Sequence, residues 1–323
     1  MPRRDDSSLT PSQLTRIQRE AQRALLEASA LGVLPTPVEQ VMAAARLTEV
    51  EEDVLNPTFV ARILNKAQQA GHVIKRALSK VVGLFHASEG LVFIDRTLAV
   101  VKQRFVGLHE TAHGFLPWQR PMYAVVADCE KALDPETADL FDREANVFAS
   151  EVLFQINRFR DMAEEKPFSI WTPVRLARTF NASLYASIRQ YVAKNHRACA
   201  VVILDRPQLE ERVGFRASVR RVVQSSSFTT TFGRHAWRDS YTPDDDIGAL
   251  VPLGPRTSSG KRQLGLTDAN GVLHECVAEA FTNKQQVFVL ILVRKSLTAT
   301  HVLFGPTAVP ALSSGGPVRR ADI

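Results

Sequence analysis

Cysteine is scarce in this sequence, and long apolar runs are missing. Three cysteines occur in 323 residues, at Cys129, Cys199 and Cys276. They are odd in number, scattered and without the spacing of a metal site, so we expect reduced thiols rather than a disulfide scaffold. No apolar run approaches the length of a membrane span, and the opening Met-Pro-Arg-Arg-Asp-Asp lacks the apolar region of a signal peptide. The sequence therefore predicts a soluble, cytoplasmic protein without a membrane partner.

No strong excess of either charge is present. The formal net charge is +6 and the pI about 9.4, and short basic clusters lie at residues 216–221 and 319–320. This balance is compatible with DNA or an acidic partner, but it favours an ordinary solvated surface. The hydrophobic content of 45% is ample for a core, and the length is typical of two domains.

One pentad, His-Glu-x-x-His at residues 109–113, carries recognisable chemistry. Residues four apart share a helix face, so His109 and His113 can bind one zinc ion while Glu110 reaches a water on that zinc. Gly114 and Pro117 then end the segment. Apolar residues at helical spacing place the pentad on an amphipathic helix: Val101, Phe105, Leu108 and Ala112.

A third metal ligand must come from elsewhere, because no histidine follows the pentad at metzincin spacing. The segment 135–153 predicts a helix that supplies two acidic candidates, Asp142 and Glu144. Asp142 shares its face with small alanines that allow a second helix to approach, whereas Glu144 shares its face with Phe148. A solvated helix charge is the alternative interpretation for either carboxylate.

Two motifs make residues 21–200 resemble the ImmA/IrrE family of metallopeptidases. They are the helix running from residue 101 into the 109–113 pentad, and the later segment 142–153. The family pattern for the later segment is E-x-(E/Q)-A-N-x-F-A-x-x-L-L, and its first Glu is the third metal ligand. This chain has the shorter Asp142 there, so either Asp142 is the ligand or Glu144 substitutes for it, and we favour Asp142. The family continues into Leu-Met-Pro where this chain has Phe-Gln-Ile at 154–156, so we expect a different substrate-facing end.

This resemblance implies a zinc-dependent endopeptidase that acts on one regulatory protein. The implied substrate is a DNA-binding repressor of a stress response or a mobile element. His109, His113 and an acidic residue would hold the zinc, and Glu110 would take a proton from the attacking water. The alternative is a non-catalytic metal-binding sensor that acts by protein or DNA binding.

The periodicity predicts an α+β fold with a helical zinc-peptidase core, a small sheet and a β-rich C-terminal domain. Some family members carry a GAF-like sensor domain there, which extends to this chain by fold analogy only. The expected divisions are a disordered segment 1–12, a peptidase domain 13–165, a helix-turn-helix-like segment 166–197, a β-rich regulatory domain 198–312 and a disordered tail 313–323. In the helix-turn-helix-like segment we favour packing over DNA binding, because no basic recognition helix stands out.

The individual elements follow from the same patterns. We expect helices at 14–31, at 37–45 with Thr36 as its cap, and at 175–193 with Thr172 as its cap. Short strands are expected at 81–85 and 90–95, and a long loop at 239–261. Strands of the C-terminal region are expected at 198–204, 212–217, 219–224, 226–232, 262–266, 272–280 and 286–294. The remaining histidines lack ligand spacing and are predicted to be ordinary surface or core residues: His86, His196, His235, His274 and His301.

Overall fold

The computed structural model describes residues 9–50, 83–86, 90–123, 133–233 and 235–294. Within these residues the chain combines helices with antiparallel sheet, which confirms the predicted α+β class. No helix in these ranges is long and apolar enough to span a membrane. The helices that precede the large sheet are α1 Pro11–Glu27, α2 Val38–Ala44, α3 Val100–Phe115, α4 Pro135–Leu153, α5 Arg158–Glu164, α6 Trp171–Thr179 and α7 Leu184–Ala193.

A small sheet lies beside these helices. Its strands are β1 Thr48–Val50, β2 Gly83–His86 and β3 Leu91–Ile94, in the order β1-β3-β2. Strands β2 and β3 pair antiparallel, which confirms the pairing predicted for strands 81–85 and 90–95 over the residues described, although His86 belongs to β2 rather than to the loop. Residues 81, 82 and 87–89 of the predicted hairpin lie outside the described residues. Strand β1, which pairs parallel to β3, was not predicted.

Helix α1 begins earlier and ends earlier than the predicted helix over 14–31. Thr10 accepts a hydrogen bond from the Gln13 amide, and the Gln13 side chain accepts one from the Thr10 amide, so a capping box starts the helix at Pro11. The predicted disorder of 1–12 is therefore wrong for residues 9–12; residues 1–8 and the predicted disordered tail 313–323 lie outside the described ranges. Helix α1 stops at Glu27, because Ser29 adopts a positive φ and the Ala30 amide bonds back to Leu25.

Two predicted threonine caps are wrong, because each hydroxyl donates to a backbone carbonyl outside its own helix instead. Pro37 occupies the N-cap of α2, and the Thr36 hydroxyl donates to the carbonyls of Val152 and Leu153. Its single proton is thereby shared between two carbonyls at the end of α4. Helix α6 begins at Trp171, and the Thr172 hydroxyl donates to the Pro167 carbonyl.

The predicted helix over 175–193 is two helices, α6 and α7. Asn181 adopts a positive φ of 47° between them, and the Ser183 side chain caps α7 by accepting from the Ala186 amide. Apolar residues of this helix-turn-helix-like segment are buried in the main hydrophobic core: Leu176, Phe180, Ala182 and Ile188. This burial agrees with the packing role favoured above.

A seven-stranded antiparallel sheet forms the C-terminal region. Its main strands follow the order β5-β6-β4-β10-β9-β8, and β7 pairs with β6. The large sheet and its associated helices consist of β4 Cys199–Asp205, β5 Gln208–Glu210, β6 Gly214–Gln224, α8 Ser226–Phe232, β7 Ser240–Tyr241, a 3-10 helix at Gly248–Leu250, β8 Ser258–Thr267, β9 Leu273–Thr282 and β10 Gln286–Val293.

Alternate residues of the central strands belong to two different hydrophobic clusters. Val201 and Ile203 of β4 pack with the helices, and so do Phe288 and Leu290 of β10. The residues between them pack on the opposite face beneath α8: Ala200, Val202, Leu204, Val287, Val289 and Ile291. Because successive side chains point to opposite faces, both faces of this part of the sheet are covered, and the strands read as continuous apolar runs.

Three predictions for the C-terminal region need correction. Residues 226–232 are helix α8 rather than a strand, because Ser225 caps it and Phe228 and Phe232, four apart, bury one helical face. The strands predicted at 212–217 and 219–224 are one strand, β6. The predicted loop 239–261 contains β7, the 3-10 helix and the start of β8.

The two cysteines in the described residues, Cys199 and Cys276, are buried and carry free thiols. Burial raises the pKa of Cys199 to about 12 and that of Cys276 to about 11. Both thiols stay protonated at neutral pH and are poor nucleophiles. Cys129 lies outside the described residues.

Replacing Ser225 by alanine should destabilise the C-terminal sheet. The buried Ser225 hydroxyl accepts from the amides of Phe228 and Cys199 and donates to the Arg197 carbonyl. Loss of this cap and of its partners should cost about 1–3 kcal/mol of unfolding free energy, measurable by urea denaturation. Thr230→Ala, on the exposed side of the same helix, is the control and should change stability by less than about 0.5 kcal/mol. Equal stability of the two variants would contradict the capping role.

Candidate metal centre

The two pentad histidines point their outer ring nitrogens at each other from successive turns of α3. The distance from His109 Nε2 to His113 Nε2 is 3.2 Å, and the ring planes are 83° apart. His113 is buried, and His109 is partly exposed. Two lone pairs that face each other across this distance repel unless a proton or a cation lies between them. This arrangement is therefore suited to a metal.

Asp142 of α4 completes a three-donor group with these histidines. Its Oδ1 lies 4.0 Å from His109 Nε2 and 4.0 Å from His113 Nε2. Two ligands of one zinc ion, each about 2.0–2.2 Å from the metal, can be at most about 4.4 Å apart. All three separations fall within that limit, and two imidazole nitrogens with one carboxylate oxygen form a recurrent zinc donor set. The residues present therefore fit a zinc ion.

Small side chains let α3 and α4 come close enough for this group to form. Ala112, Ala145 and Ala149 are fully buried between the helices and their neighbours. Gly107 of α3 lies so near β3 that an added Cβ would be 3.2 Å from Ile94 Cδ1. The alanine face expected around Asp142 is thus buried at Ala145 and Ala149 and only partly buried at Ala138.

Glu144 lies outside the three-donor group and is bound by other side chains. Its Oε2 accepts from Trp118 Nε1 at 2.7 Å and from Gln119 Nε2 at 2.8 Å, while its Oε1 accepts from Arg16 at 3.1 Å. The Arg16 guanidinium also stacks on the Trp118 ring, 3.7 Å from its centroid. Glu144 is fully buried, so the interpretation as a solvated helix charge is wrong for this residue.

Gln119 connects this buried carboxylate to His113 of the three-donor group. The Glu144 carboxylate can only accept hydrogen bonds, so the Gln119 amide nitrogen must face it. The Gln119 Oε1 then faces His113 Nδ1 at 2.8 Å and must accept from it. A proton on Nδ1 leaves the lone pair of His113 on Nε2, which is the tautomer that a metal ligand needs.

Asn146 supports His109 in the same way. Its Oδ1 lies 3.2 Å from His109 Nδ1, so it can accept the ring proton and leave Nε2 free. In the sequence, Asn146 stands out only as part of the 142–153 motif. Gln119 was not predicted as a site residue, because residues 114–119 contain no histidine or acidic residue that would mark them as part of a metal site.

Burial favours the neutral forms of two pentad groups. It raises the pKa of Glu110 to about 8, with a further increase from the Asp142 carboxylate. It lowers the pKa of His113 to about 3, together with repulsion from His109, while the hydrogen bond to Gln119 acts in the opposite direction. A buried carboxylate of this kind is stabilised in its charged form by a nearby cation.

Tyr123 is a further group at the site that sequence reasoning missed. It belongs to a helical turn at residues 120–123, and its ring lies 4.7 Å from the His113 ring. Burial raises the pKa of its phenol, and the nearby carboxylates of Asp142 and Glu110 raise it further. The phenol therefore stays protonated and can donate a hydrogen bond. Nothing in the sequence around residue 123 marks this position.

The histidines predicted to be ordinary residues stay apart from this centre wherever the structure describes them. His196 lies 3.3 Å from Glu164, His274 lies 3.0 Å from Asp268, and the His235 ring packs against Trp237. His301 and the side chain of His86 lie outside the described residues. Within the described ranges, the only group with metal-ligand geometry is His109, His113 and Asp142.

The segment at 154–156 is buried at Phe154 and Gln155, and the expectation of a different substrate-facing end there stays a prediction. The Phe154 ring packs against Phe159 and Phe180 in the core. The Gln155 side chain is buried and bonds to the Gly32 amide and to the Thr36 hydroxyl. These residues tie the end of α4 to the N-terminal helices.

Comparison with protein families identifies a peptidase domain in the part of the chain that carries the site. The model of a peptidase family, Peptidase_M78, described as the IrrE N-terminal-like domain, matches residues 65–187. No curated protein matches the chain by sequence. Among solved structures, a Mycobacterium tuberculosis transcriptional regulator is similar with a TM-score of 0.48 at 12% identity, over 88% of this chain and 81% of that chain.

Proposed function

We propose that the protein is a zinc-dependent endopeptidase that cuts one regulatory protein, and the match of the IrrE N-terminal-like family model to residues 65–187 supports this proposal. The observation that carries this proposal is the convergence of His109, His113 and Asp142 beside the buried Glu110. The proposed metal ligands are Nε2 of each histidine and Oδ1 of Asp142. Glu144 is proposed as a support for His113 through Gln119.

Zinc bound to these ligands would polarise the peptide carbonyl and make an attacking water more acidic. Glu110 accepts the proton of that water and later donates it to the leaving amine. Burial of Glu110 keeps bulk water away from this proton and fixes the carboxylate in place. Tyr123 can donate a hydrogen bond from its protonated phenol to the oxygen that becomes negative during attack.

We propose a DNA-binding repressor of a stress response or a mobile element as the substrate. The resemblance carried by the segments 101–113 and 142–153 supports one regulatory substrate rather than general digestion. A DNA-bound repressor would be cut in the cytoplasm, where free thiols such as those of Cys199 and Cys276 persist.

New protein N-termini are the direct test of this function. An extract of the source cells is incubated with the zinc-loaded protein, and N-terminal peptides are then labelled and sequenced by mass spectrometry. We expect one or a few new N-termini, in a DNA-binding protein, that are absent with His113→Ala or with a chelator. Identical N-termini in all samples would favour the alternative, a metal-binding regulator that does not cut its partner.

Replacing Gln119 by alanine should weaken zinc binding by about 10–100-fold. His113 Nδ1 would lose its acceptor, and Glu144 would lose one of its donors. Zinc affinity is measured by competition with a chelator of known affinity. Gln103→Ala is the matched control, because the Gln103 amide donates to the carbonyls of Arg96 and Leu98, which precede the same helix and lie away from the site. Unchanged zinc affinity in Gln119→Ala would remove Gln119 from the proposed role.

A further inference from the structure

A groove of about 590 Å³ separates the helices α6 and α7 from the turn between β9 and β10. Its walls come from the helical region and from the C-terminal sheet, and Val101 at the start of α3 contributes to one end. The volume lies within the range of about 300–1,000 Å³ that is typical of small-molecule sites. The groove is separate from the three-donor group described above.

The charge of the groove favours an anion. Arg178 of α6 and Lys284 of the β9–β10 turn line it, and no acidic residue lines it in the part of the chain that the structure describes. Both cations are exposed, and neither forms an ion pair with a carboxylate in the described part of the chain. Nearby amide groups of Asn181 and Asn283 can add hydrogen bonds. Two unpaired cations with neutral hydrogen-bonding neighbours would bind a carboxylate, sulfonate or phosphate group.

The groove also offers an aromatic surface. Trp171 is 36% exposed, although it is one of the largest apolar side chains, and its ring meets Phe281 edge-on at 5.3 Å. Val174 and Leu184 extend the apolar surface beside these rings. We propose that the groove binds a small planar aromatic molecule with one acidic group, the rings lying on Trp171 and the acid between Arg178 and Lys284.

A small molecule fits this groove better than a protein does. A stable protein interface buries about 800 Å² on each partner, which is far more than a groove of this size presents. A molecule in the groove would contact α3, α6 and the β9–β10 turn together. It would therefore stabilise the arrangement of these elements by mass action.

The test uses 8-anilinonaphthalene-1-sulfonate as the anionic probe and N-phenyl-1-naphthylamine as its uncharged counterpart. Both are titrated into the full-length protein while probe fluorescence is recorded, with excitation either of the probe or of tryptophan. We expect saturable binding of the sulfonate, at least about tenfold tighter than that of the uncharged compound. Equal affinity for the two compounds would overturn the anion site.

Variants locate the probe. Arg178→Gln and Lys284→Asn should each weaken sulfonate binding several-fold; asparagine is chosen because residue 284 has a φ of 71°. Trp171→Phe should remove most of the energy transfer from tryptophan, and Thr257→Trp should block binding by filling the groove. Arg175→Gln, exposed on α6 outside the groove, and Trp237→Phe are the controls and should behave like the wild type. If the groove variants also behave like the wild type, the probe binds elsewhere and the proposal is wrong.

Discussion

Glu110→Gln is expected to lower peptide-bond cleavage by about 10²–10⁴-fold while the zinc content stays at the wild-type level. Glutamine has almost the shape of glutamate, so it fits the same buried position between the two histidines of α3. It cannot accept the proton of the attacking water. The metal ligands are untouched, because Glu110 is not one of the three donors.

The measurement pairs two quantities on the same preparation. Cleavage is followed on the substrate found by N-terminal profiling, and zinc is counted by elemental analysis. Glu136 is exposed in the first turn of α4, so Glu136→Gln is the control. This variant should keep the wild-type cleavage rate and the wild-type zinc content. Normal cleavage by Glu110→Gln would overturn the assignment of Glu110 as the base. Loss of zinc in this variant would show that Glu110 supports the metal.

A comparison of Asp142→Ala with Glu144→Ala should distinguish a residue that binds the metal from a residue that supports a ligand. Asp142→Ala removes one of three donors, so zinc affinity should fall by more than the roughly 10–100-fold typical of supporting residues. Because Asp142 is half exposed, the fold should tolerate this change. Asp142→Glu restores the residue of the family pattern and should retain zinc.

Glu144→Ala should lower the unfolding free energy more than it lowers the zinc affinity. It leaves the buried donors of Trp118 and Gln119 without their acceptor, at about 1–3 kcal/mol of unfolding free energy for each unsatisfied group. Zinc affinity should fall only within the supporting range. Chelator competition and urea denaturation measure the two effects separately. If Glu144→Ala loses zinc more strongly than Asp142→Ala, the role of ligand passes to Glu144.

The helices of the site were predictable because their signals are local. Segment 135–153 matches α4 to the residue, since Pro135 and an even helical period define it. The pentad fixed His109, Glu110 and His113 on one helix. The face argument favoured Asp142 over Glu144, and in the structure Asp142 lies with the two histidines.

The features that were missed depend on distant contacts. Nothing near residue 144 in the sequence reveals that Arg16, some 130 positions away, would meet its carboxylate. Thr36 looked like a helix cap, yet its hydroxyl donates to the carbonyls of Val152 and Leu153, which packing brings to it. The threonine-rich segment 226–232 has the composition of a strand, but Ser225 and the spacing of Phe228 and Phe232 make it a helix.

The carboxylate of Glu279 couples the helical region of the chain to the C-terminal sheet. This strand residue is buried at the start of α6, where it accepts from the Ser169 hydroxyl at 2.6 Å and from the Ile170 amide at 2.9 Å. A negative charge at a helix N-terminus is stabilising, and here it belongs to another element. Separating β9 from the start of α6 would leave the Glu279 carboxylate without its donors and the Ile170 amide without its acceptor. Hydrogen exchange at Ile170 and in β9 should therefore proceed through the same opening event.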